Sequence, residues 1–243
     1  MEHYYTSPEN IAPPNLTIFG DEAKHLAKVL RKEKGSDIHV TDGLGNLYYC
    51  SIESITKNEI LCIIKSKQFN INETSIKLTA YISLLKNPSR FEFAIEKLTE
   101  LGIYEIQPVI TEHVISKEKD KTGRWQSIAL SAMKQSQRCY LPAVKSPIFF
   151  TEAVKSCNSS LKLIAHEKAT LTPLPAPWLR QAGQPPLLEE RGSVTLFIGP
   201  EGGFSDEEIF HAEDNGFQVF SLGTRKFRSE TAAVAAAALI LLT

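Results

Sequence analysis

The segments Phe197-Ile198-Gly199-Pro200-Glu201-Gly202-Gly203-Phe204 and Leu222-Gly223-Thr224-Arg225-Lys226-Phe227-Arg228-Ser229-Glu230-Thr231-Ala232 decide how this chain is read. Each follows an apolar run that reads as a buried strand, Val194–Ile198 and then Phe217–Leu222, and each precedes a strong helix start. Two glycine-bearing loops thus leave neighbouring strand ends on the same side of a sheet, which is where open α/β folds place ligands. Glycine lets backbone N–H and C=O groups come close to a bound molecule. The second loop closes on Arg228 and Glu230, a cation and an anion at a helix N-terminus. Alone, the first segment reads as an ordinary β-to-α turn. The second supplies the context a motif needs.

Outward from these loops, residues 76–243 alternate between strand and helix periods. Ile76–Leu85, Ile103–Ile110 and Leu161–Ala165 read as further strands. Asn87-Pro88 opens a helix, with Asn87 as cap and Pro88 in first position. Phe91, Ile95, Leu98 and Leu101 mark its buried face, and Gly102 ends it. Trp125–Arg138 is a second helix and Ala232–Leu242 a buried terminal one. Ser205-Asp206-Glu207-Glu208 has the capping-box pattern, and Gly216 stops the helix it starts. Thr170–Arg191, rich in Pro and Gly, reads as a mobile excursion. Strands separated by helices predict an α/β fold with a mainly parallel sheet.

Residues 1–70 read as a small β-rich domain. His39–Asp42, Leu47–Ile55 and Glu59–Lys65 are strand candidates, the first two joined by Asp42-Gly43-Leu44-Gly45-Asn46. One helix interrupts them. Asp21 can cap its start, Gly35 lies past its end, and Leu26, Val29 and Leu30 share a face at helical spacing. Gln68–Ser75 reads as a polar linker.

The 243 residues are 42% hydrophobic with a net charge of −1, so no global field draws nucleic acid and any RNA affinity comes from local patches. Cys50, Cys62, Cys139 and Cys157 show no CxxC spacing, which argues for buried thiols and against a metal site or a disulfide framework. The N-terminus lacks a signal-peptide pattern, and the longest apolar run is too short to span a bilayer. The expectation is a cytoplasmic protein with no membrane partner. The dinucleotide signature GxGxxG is missing.

Together, GPEGG and LGTRKFRSETA resemble the C-terminal motifs of the RsmE-type 16S rRNA uridine-N3 methyltransferases, a branch of the SPOUT superfamily. The likeness covers nearly the whole chain. His25-Leu26-Ala27-Lys28-Val29-Leu30-Arg31, with Gly35, Asp37 and Asp42-Gly43, is similar to that family's PUA-like N-terminal barrel. Lys97-Leu98-Thr99-Glu100-Leu101-Gly102 and Pro108 resemble its first βα unit, and Arg124-Trp125, Gln135-Ser136 and Arg138 its central helix. Two positions depart: His113 stands where the family usually shows arginine, and Gln137 where it usually shows glycine. The resemblance implies a PUA-like β-barrel RNA-binding domain over residues 1–70 and a SPOUT methyltransferase domain with a trefoil knot over 76–243. Periodicity alone predicts an unknotted doubly wound sheet.

The implied reaction is methylation of N3 of a uridine in 16S rRNA, U1498 in the family, within the assembled 30S subunit, by a homodimer. S-adenosyl-L-methionine is the donor. Carried onto matching positions, the cofactor-binding residues are His166, Glu167, Gly199, Pro200, Glu201, Gly202, Gly203, Ser221, Leu222, Gly223, Phe227, Arg228, Thr231 and Ala232. Uridine N3 holds a proton at neutral pH and faces its pairing partner in a duplex, so the base must be single-stranded or extruded. Arg228 would stabilise the uracil anion, and Glu230 would orient Arg228 or accept the proton. RNA contacts fall on Lys24, Lys28 and Arg31, with Lys32 and Lys34 beside them, and on Lys86, Arg90, Arg124, Gln135 and Arg138. Phe91–Leu101 and the final helix are the candidate dimer surfaces. Two other readings stay open: a non-catalytic RNA-binding or ribosome-assembly factor, and a SPOUT methyltransferase with another RNA target.

Overall fold

A computed structural model describes residues 3–114, 121–167 and 192–242. The expected excursion over Thr170–Arg191 lies outside the described residues. The chain forms two compact units. One joins the residues up to Glu73 with Leu130–Leu141, and the other joins Thr74–Ala129 with the residues from Pro142 onward.

The first unit holds strands β1 (His3–Tyr5), β2 (Ile11–Ala12), β3 (Asn15–Phe19), β4 (Asp37–Thr41), β5 (Asn46–Ile55) and β6 (Glu59–Phe69). They form one sheet in the order β1-β4-β5-β6-β3-β2, antiparallel except where β1 joins β4. Alternate residues such as Leu16, Ile18, Ile38, Val40, Cys50, Ile52, Ile60 and Cys62 build its core. The β4–β5 turn forms as its sequence demands. Asp42 Oδ1 accepts from Leu44 N at 2.8 Å, and Gly43 and Gly45 take φ of +74° and +93°.

The helix of this unit differs from expectation. Helix α1 (Gly20–Lys24) starts at Gly20 with Phe19 as N-cap, so Asp21 lies inside the first turn and pairs with Lys24 at 2.9 Å instead of capping. A π turn over His25–Val29 follows, and Arg31 at φ +50° ends the helical run well short of Gly35. A π turn holds more residues than an α turn, so the helical spacing slips. Leu26 is buried as expected, but Val29 is 65% exposed. The Gln68–Ser75 linker also carries structure: Gln68 and Phe69 extend β6, and Glu73 is buried in an ion pair with Arg138.

The second unit alternates β7 (Lys77–Ser83), α2 (Pro88–Leu101), β8 (Glu105–Ile110), α3 (Thr122–Gln135), β9 (Ala143–Val144), β10 (Ile148–Phe149), α4 (Phe150–Ser156), β11 (Leu161–Ala165), β12 (Ser193–Ile198), α5 (Asp206–Asp214), β13 (Gln218–Phe220) and α6 (Ser229–Leu241). The last turns of α3, from Leu130, belong to the first unit. The sheet runs β10-β8-β7-β12-β11-β13 with β9 also on β8, and every pairing is parallel. Parallel strands are covered on both faces and read as continuous apolar runs. Leu78, Ala80, Ile82, Val194, Leu196 and Phe197 are fully buried in this way.

Local signals act where the sequence places them. Asn87 Oδ1 accepts from Ser89 N at 3.0 Å, and Gly102 closes α2 at φ +105°. Ser205 and Glu208 form both bonds of the capping box of α5. α6 packs on α2 and reaches back to β7 and β12. The buried faces are Phe91, Ala94, Ile95 and Leu98 on α2, and Ala233, Ala236, Ala237 and Ile240 on α6. One expectation fails. β12 and β13 are not neighbours, because β11 lies between them and pairs with both.

Candidate active site

Parallel pairing brings the C-terminal ends of β8, β12, β11 and β13 to one edge of the sheet. The insertion of β11 sets its own exit, His166-Glu167, between the two glycine loops. His166 N donates to Phe220 O at 3.0 Å, which ties that exit to the end of β13. Together the three loops surround a cleft of about 620 Å³. His166, Glu167, Gly199, Pro200, Glu201, Gly202, Gly203, Ser221, Leu222, Gly223, Phe227, Arg228 and Ala232 line it. Thr231 does not: it is exposed on the outer side of the first turn of α6.

The first loop is anchored by its last residue. Phe204 is buried against Phe150, ring centroids 5.4 Å apart, and Phe150 packs in turn on Phe197 of β12. A Cβ on Gly199 would meet the Phe204 ring at 3.2 Å, so only glycine lets the loop close over its own anchor. The loop after β8 is fastened beside it. His113 Nδ1 lies 3.1 Å from Gly203 O, and Glu112 N donates to Glu208 Oε1 at 3.0 Å. His113 therefore lines the cleft. In the sequence His113 stands out only as a departure from the family pattern, because nothing local ties a loop histidine after β8 to a loop after β12.

The second loop turns through Ser221, whose Oγ accepts from Gly223 N at 3.2 Å with Gly223 at φ +109°. Lys226 pairs with Glu167 at 3.0 Å across the loops. Arg228 is the N-cap of α6, and its exposed guanidinium makes no hydrogen bond or ion pair among the described residues. Glu230, two residues on, is buried and faces α2: its Oε1 lies 3.7 Å from Arg90 Nε. Its Oε2 is buried with no hydrogen-bond partner. The expected Arg228–Glu230 contact is thus replaced by Arg90–Glu230, because the cap residue projects outward while the first turn of α6 rests on α2. Arg90 also approaches Glu201 of the first loop, at 3.8 Å.

The expected RNA residues separate. Lys24 is paired with Asp21 and Lys34 with Glu53, while Lys28, Arg31 and Lys32 have no ion pair among the described residues. Lys86 and Gln135 are exposed. Arg124 is held by Glu92 through two hydrogen bonds of 2.5 and 2.8 Å, and Arg124 holds the Glu92 carboxyl below its ordinary range. Arg90 faces two carboxylates. Arg138 is a correction: its side chain is 3% exposed and bound to Glu73 at 2.6 Å, so it is a structural cation and not a phosphate contact. Gln137 sits at φ +59°, a conformation that favours glycine. Among the described residues no group of His, Cys, Asp and Glu is arranged to hold a metal ion, and no helix is long and apolar enough to cross a membrane.

Two known families match successive parts of the chain. The RNA methyltransferase domain family matches residues 72–241, and the RNA methyltransferase PUA domain family matches residues 19–65. Ribosomal RNA small subunit methyltransferase E of Synechocystis sp. is 34% identical over 238 residues, covering 96% of this chain and 75% of its own length. The protein of that name in Bacillus subtilis is 26% identical over 96% of this chain and 93% of its own. The crystal structure of ribosomal RNA small subunit methyltransferase E from Neisseria gonorrhoeae, bound to S-adenosyl methionine, superposes with a TM-score of 0.80 and 30% identity over 98% of this chain and 95% of its own.

Proposed function

The chain belongs to the ribosomal RNA small subunit methyltransferase E family, and from that premise we propose that it methylates N3 of a uridine in 16S rRNA, U1498 of the assembled 30S subunit, with S-adenosylmethionine as donor. The observation that carries this reading is the convergence of both motif loops and the β11 exit on one cleft with an uncommitted arginine at its rim. The cleft suits the donor. At Gly203 and Gly223 a Cβ would meet nothing within 4 Å, so bare backbone lines open space there. Backbone of this kind pairs with an adenine edge, and Leu222 and Phe227 offer the apolar cover for its ring. S-adenosylmethionine, when bound, supplies an electrophilic methyl: the N3–C bond forms from the N3 electron pair, the S–C bond breaks with its pair left on sulfur, and the N3 proton is lost.

Arg228 stabilises the uracil anion that proton loss creates, by charge and by hydrogen bonds to the ring oxygens. The N-terminus of α6 adds a favourable field for the same anion. Glu230 stands outside the cleft lining, so it acts by holding Arg90, and the proton leaves to solvent water. Residues 1–70 form the RNA-binding PUA-like domain and 76–243 the methyltransferase domain. Lys28, Arg31 and Lys32 grip phosphates. Exposed Phe93 on α2, with Leu239 and Leu242 at the end of α6, favour a homodimer. The return of α6 from the edge strand β13 to β7 and α2 is the path a threaded, knotted chain would take. A cytoplasmic enzyme fits a ribosomal substrate.

Purified protein, small subunits lacking the modification and labelled S-adenosylmethionine test the reading. Label recovered as N3-methyluridine at one 16S position is expected, and its loss in Arg228→Ala with cofactor affinity retained supports the anion role. Cofactor binding without any label in 16S rRNA sinks the proposed substrate. Near-normal turnover in Arg228→Ala sinks the assigned chemistry.

A further inference from the structure

We infer that Arg90 is a positioning residue for the methyl transfer: it ties the first motif loop to the helix that carries Arg228, and so holds that arginine where the anion forms. The inference rests on the proposed function. Arg90 stands in the first turn of α2, where the helix dipole favours an anion over a cation. A residue placed against its local preference points to a task set elsewhere in the fold. Its guanidinium lies between two carboxylates from different elements. Nη1 is 3.8 Å from Glu201 Oε1, and Nε is 3.7 Å from Glu230 Oε1. Both separations exceed hydrogen-bond length, so Arg90 acts on both groups by charge.

The two carboxylates belong to the two halves of the site. Glu201 lines the cofactor cleft, and its Oε2 accepts from Lys86 N at 3.4 Å. Its loop is anchored apart from Arg90, by Phe204 on Phe150 and by His113 Nδ1 at 3.1 Å from Gly203 O. Glu201 is therefore the fixed end of the tie. Glu230 is the end that needs holding. Its side chain is 10% exposed, its Oε2 has no hydrogen-bond partner, and among the described residues its ion pair is with Arg90. A carboxylate buried there without its cation is drawn toward water, and the first turn of α6 goes with it. Arg228 is the N-cap of that turn, two residues before Glu230, and its carbonyl accepts from Ala232 N at 2.8 Å. What fixes Glu230 thus fixes the base of the Arg228 side chain.

The test compares Arg90 variants of the full chain. Arg90→Met is expected to lower kcat on small subunits about ten-fold, with KM and the S-adenosylmethionine Kd within about two-fold. Arg90→Lys keeps the charge and should recover most of that loss. Arg90→Met/Glu230→Gln strands no buried anion, so it keeps the fold if Arg90→Met loses it, and its kcat should still fall about three-fold with KM unchanged. In an Arg228→Ala background, Arg90→Met should lower kcat by less than about two-fold, because the residue it acts through is gone. A full further loss there overturns the inference. So does a raised KM with kcat unchanged, which is the mark of a phosphate contact. Amide exchange reads the tie without the reaction. In the unliganded chain the Ala232 N–H should exchange about ten-fold faster in Arg90→Met, and an unchanged rate also overturns the inference. A wild-type chain that puts no methyl on 16S rRNA, with Ala232 still loosened by Arg90→Met, would remove the proposed function and leave the tie between loop and helix standing.

Discussion

Removing the carboxylate of Glu73 should destabilise the first unit more than any surface substitution, and its partner should prove irrelevant to RNA. Glu73 Oε2 takes Arg138 Nη2 at 2.6 Å and Nε at 3.1 Å, and Oε1 takes Cys139 N at 2.8 Å and Tyr140 N at 2.9 Å. Both side chains are less than a tenth exposed. Glu73→Ala strips the anion from a buried guanidinium, which costs about 3–5 kcal/mol. It also orphans two backbone N–H groups at about 1–3 kcal/mol each when fully buried, partly relieved by relaxation. A loss of about 4–6 kcal/mol follows, seen as a fall of about 10–20 °C in the melting transition. Urea unfolding of Glu73→Ala, Arg138→Met and Glu73→Ala/Arg138→Met measures it, and the double variant should recover part of the sum because no charge is left stranded. A phosphate contact would lower the salt slope of RNA binding by about 0.7–0.9. Arg138→Met should leave that slope unchanged, whereas Lys28→Ala should reduce it. A Glu73→Ala cost below about 1 kcal/mol, or a stable Arg138→Met with a reduced slope, refutes the reasoning.

Further outcomes are expected of two glycines and of the buried thiols. Gly199→Ala drives a Cβ to 3.2 Å from a Phe204 ring that Phe150 prevents from yielding, so the S-adenosylmethionine Kd in calorimetry should rise about ten-fold. Gly216→Ala, strained at φ +81° with nothing within 4 Å, should cost about 1 kcal/mol of stability and no affinity. Burial pushes the thiols of Cys50 and Cys62 up to about 12 and that of Cys139 to about 11. Unfolded thiols ionise near 8.5, so above that pH the folded chain holds protons that the unfolded chain has lost, and these groups make stability fall with rising pH until about pH 11–12. Native protein should therefore resist thiol reagents at pH 8.5 and lose urea resistance between pH 8 and 10. Rapid labelling without unfolding would contradict the burial.

Much of the architecture was legible because its signals are local. Leu161–Ala165 is a strand over the residues its apolar run marks, and Asn87, Gly102, Ser205 and Glu208 start and stop helices through bonds to their own neighbours. The short strands β9 and β10 and helix α4 escaped, since two or seven residues carry too little period to read. The helix after Gly20 misled for a different reason. Its π turn changes the count per turn, and hydrophobic spacing assumes that count is constant.

The site divides in the same way. Glycine and proline preferences within eight or eleven residues determined that both motif loops are turns at strand ends, and the resemblance they carry supplied the cofactor expectation. Which strands stand side by side is not local. The placing of β11 between β12 and β13, which puts His166-Glu167 between the two loops, depends on pairings across the whole sheet. So do the partners of the charged groups. Glu230 meets Arg90, and Glu73 meets Arg138, across separations that no spacing rule spans. The sequence by itself determined backbone conformation at the loops, because steric and hydrogen-bond preferences act between near neighbours. Only the tertiary structure decided which charges are spent on the fold and which remain for a ligand, because desolvation and pairing depend on what the packed chain brings within a few ångströms.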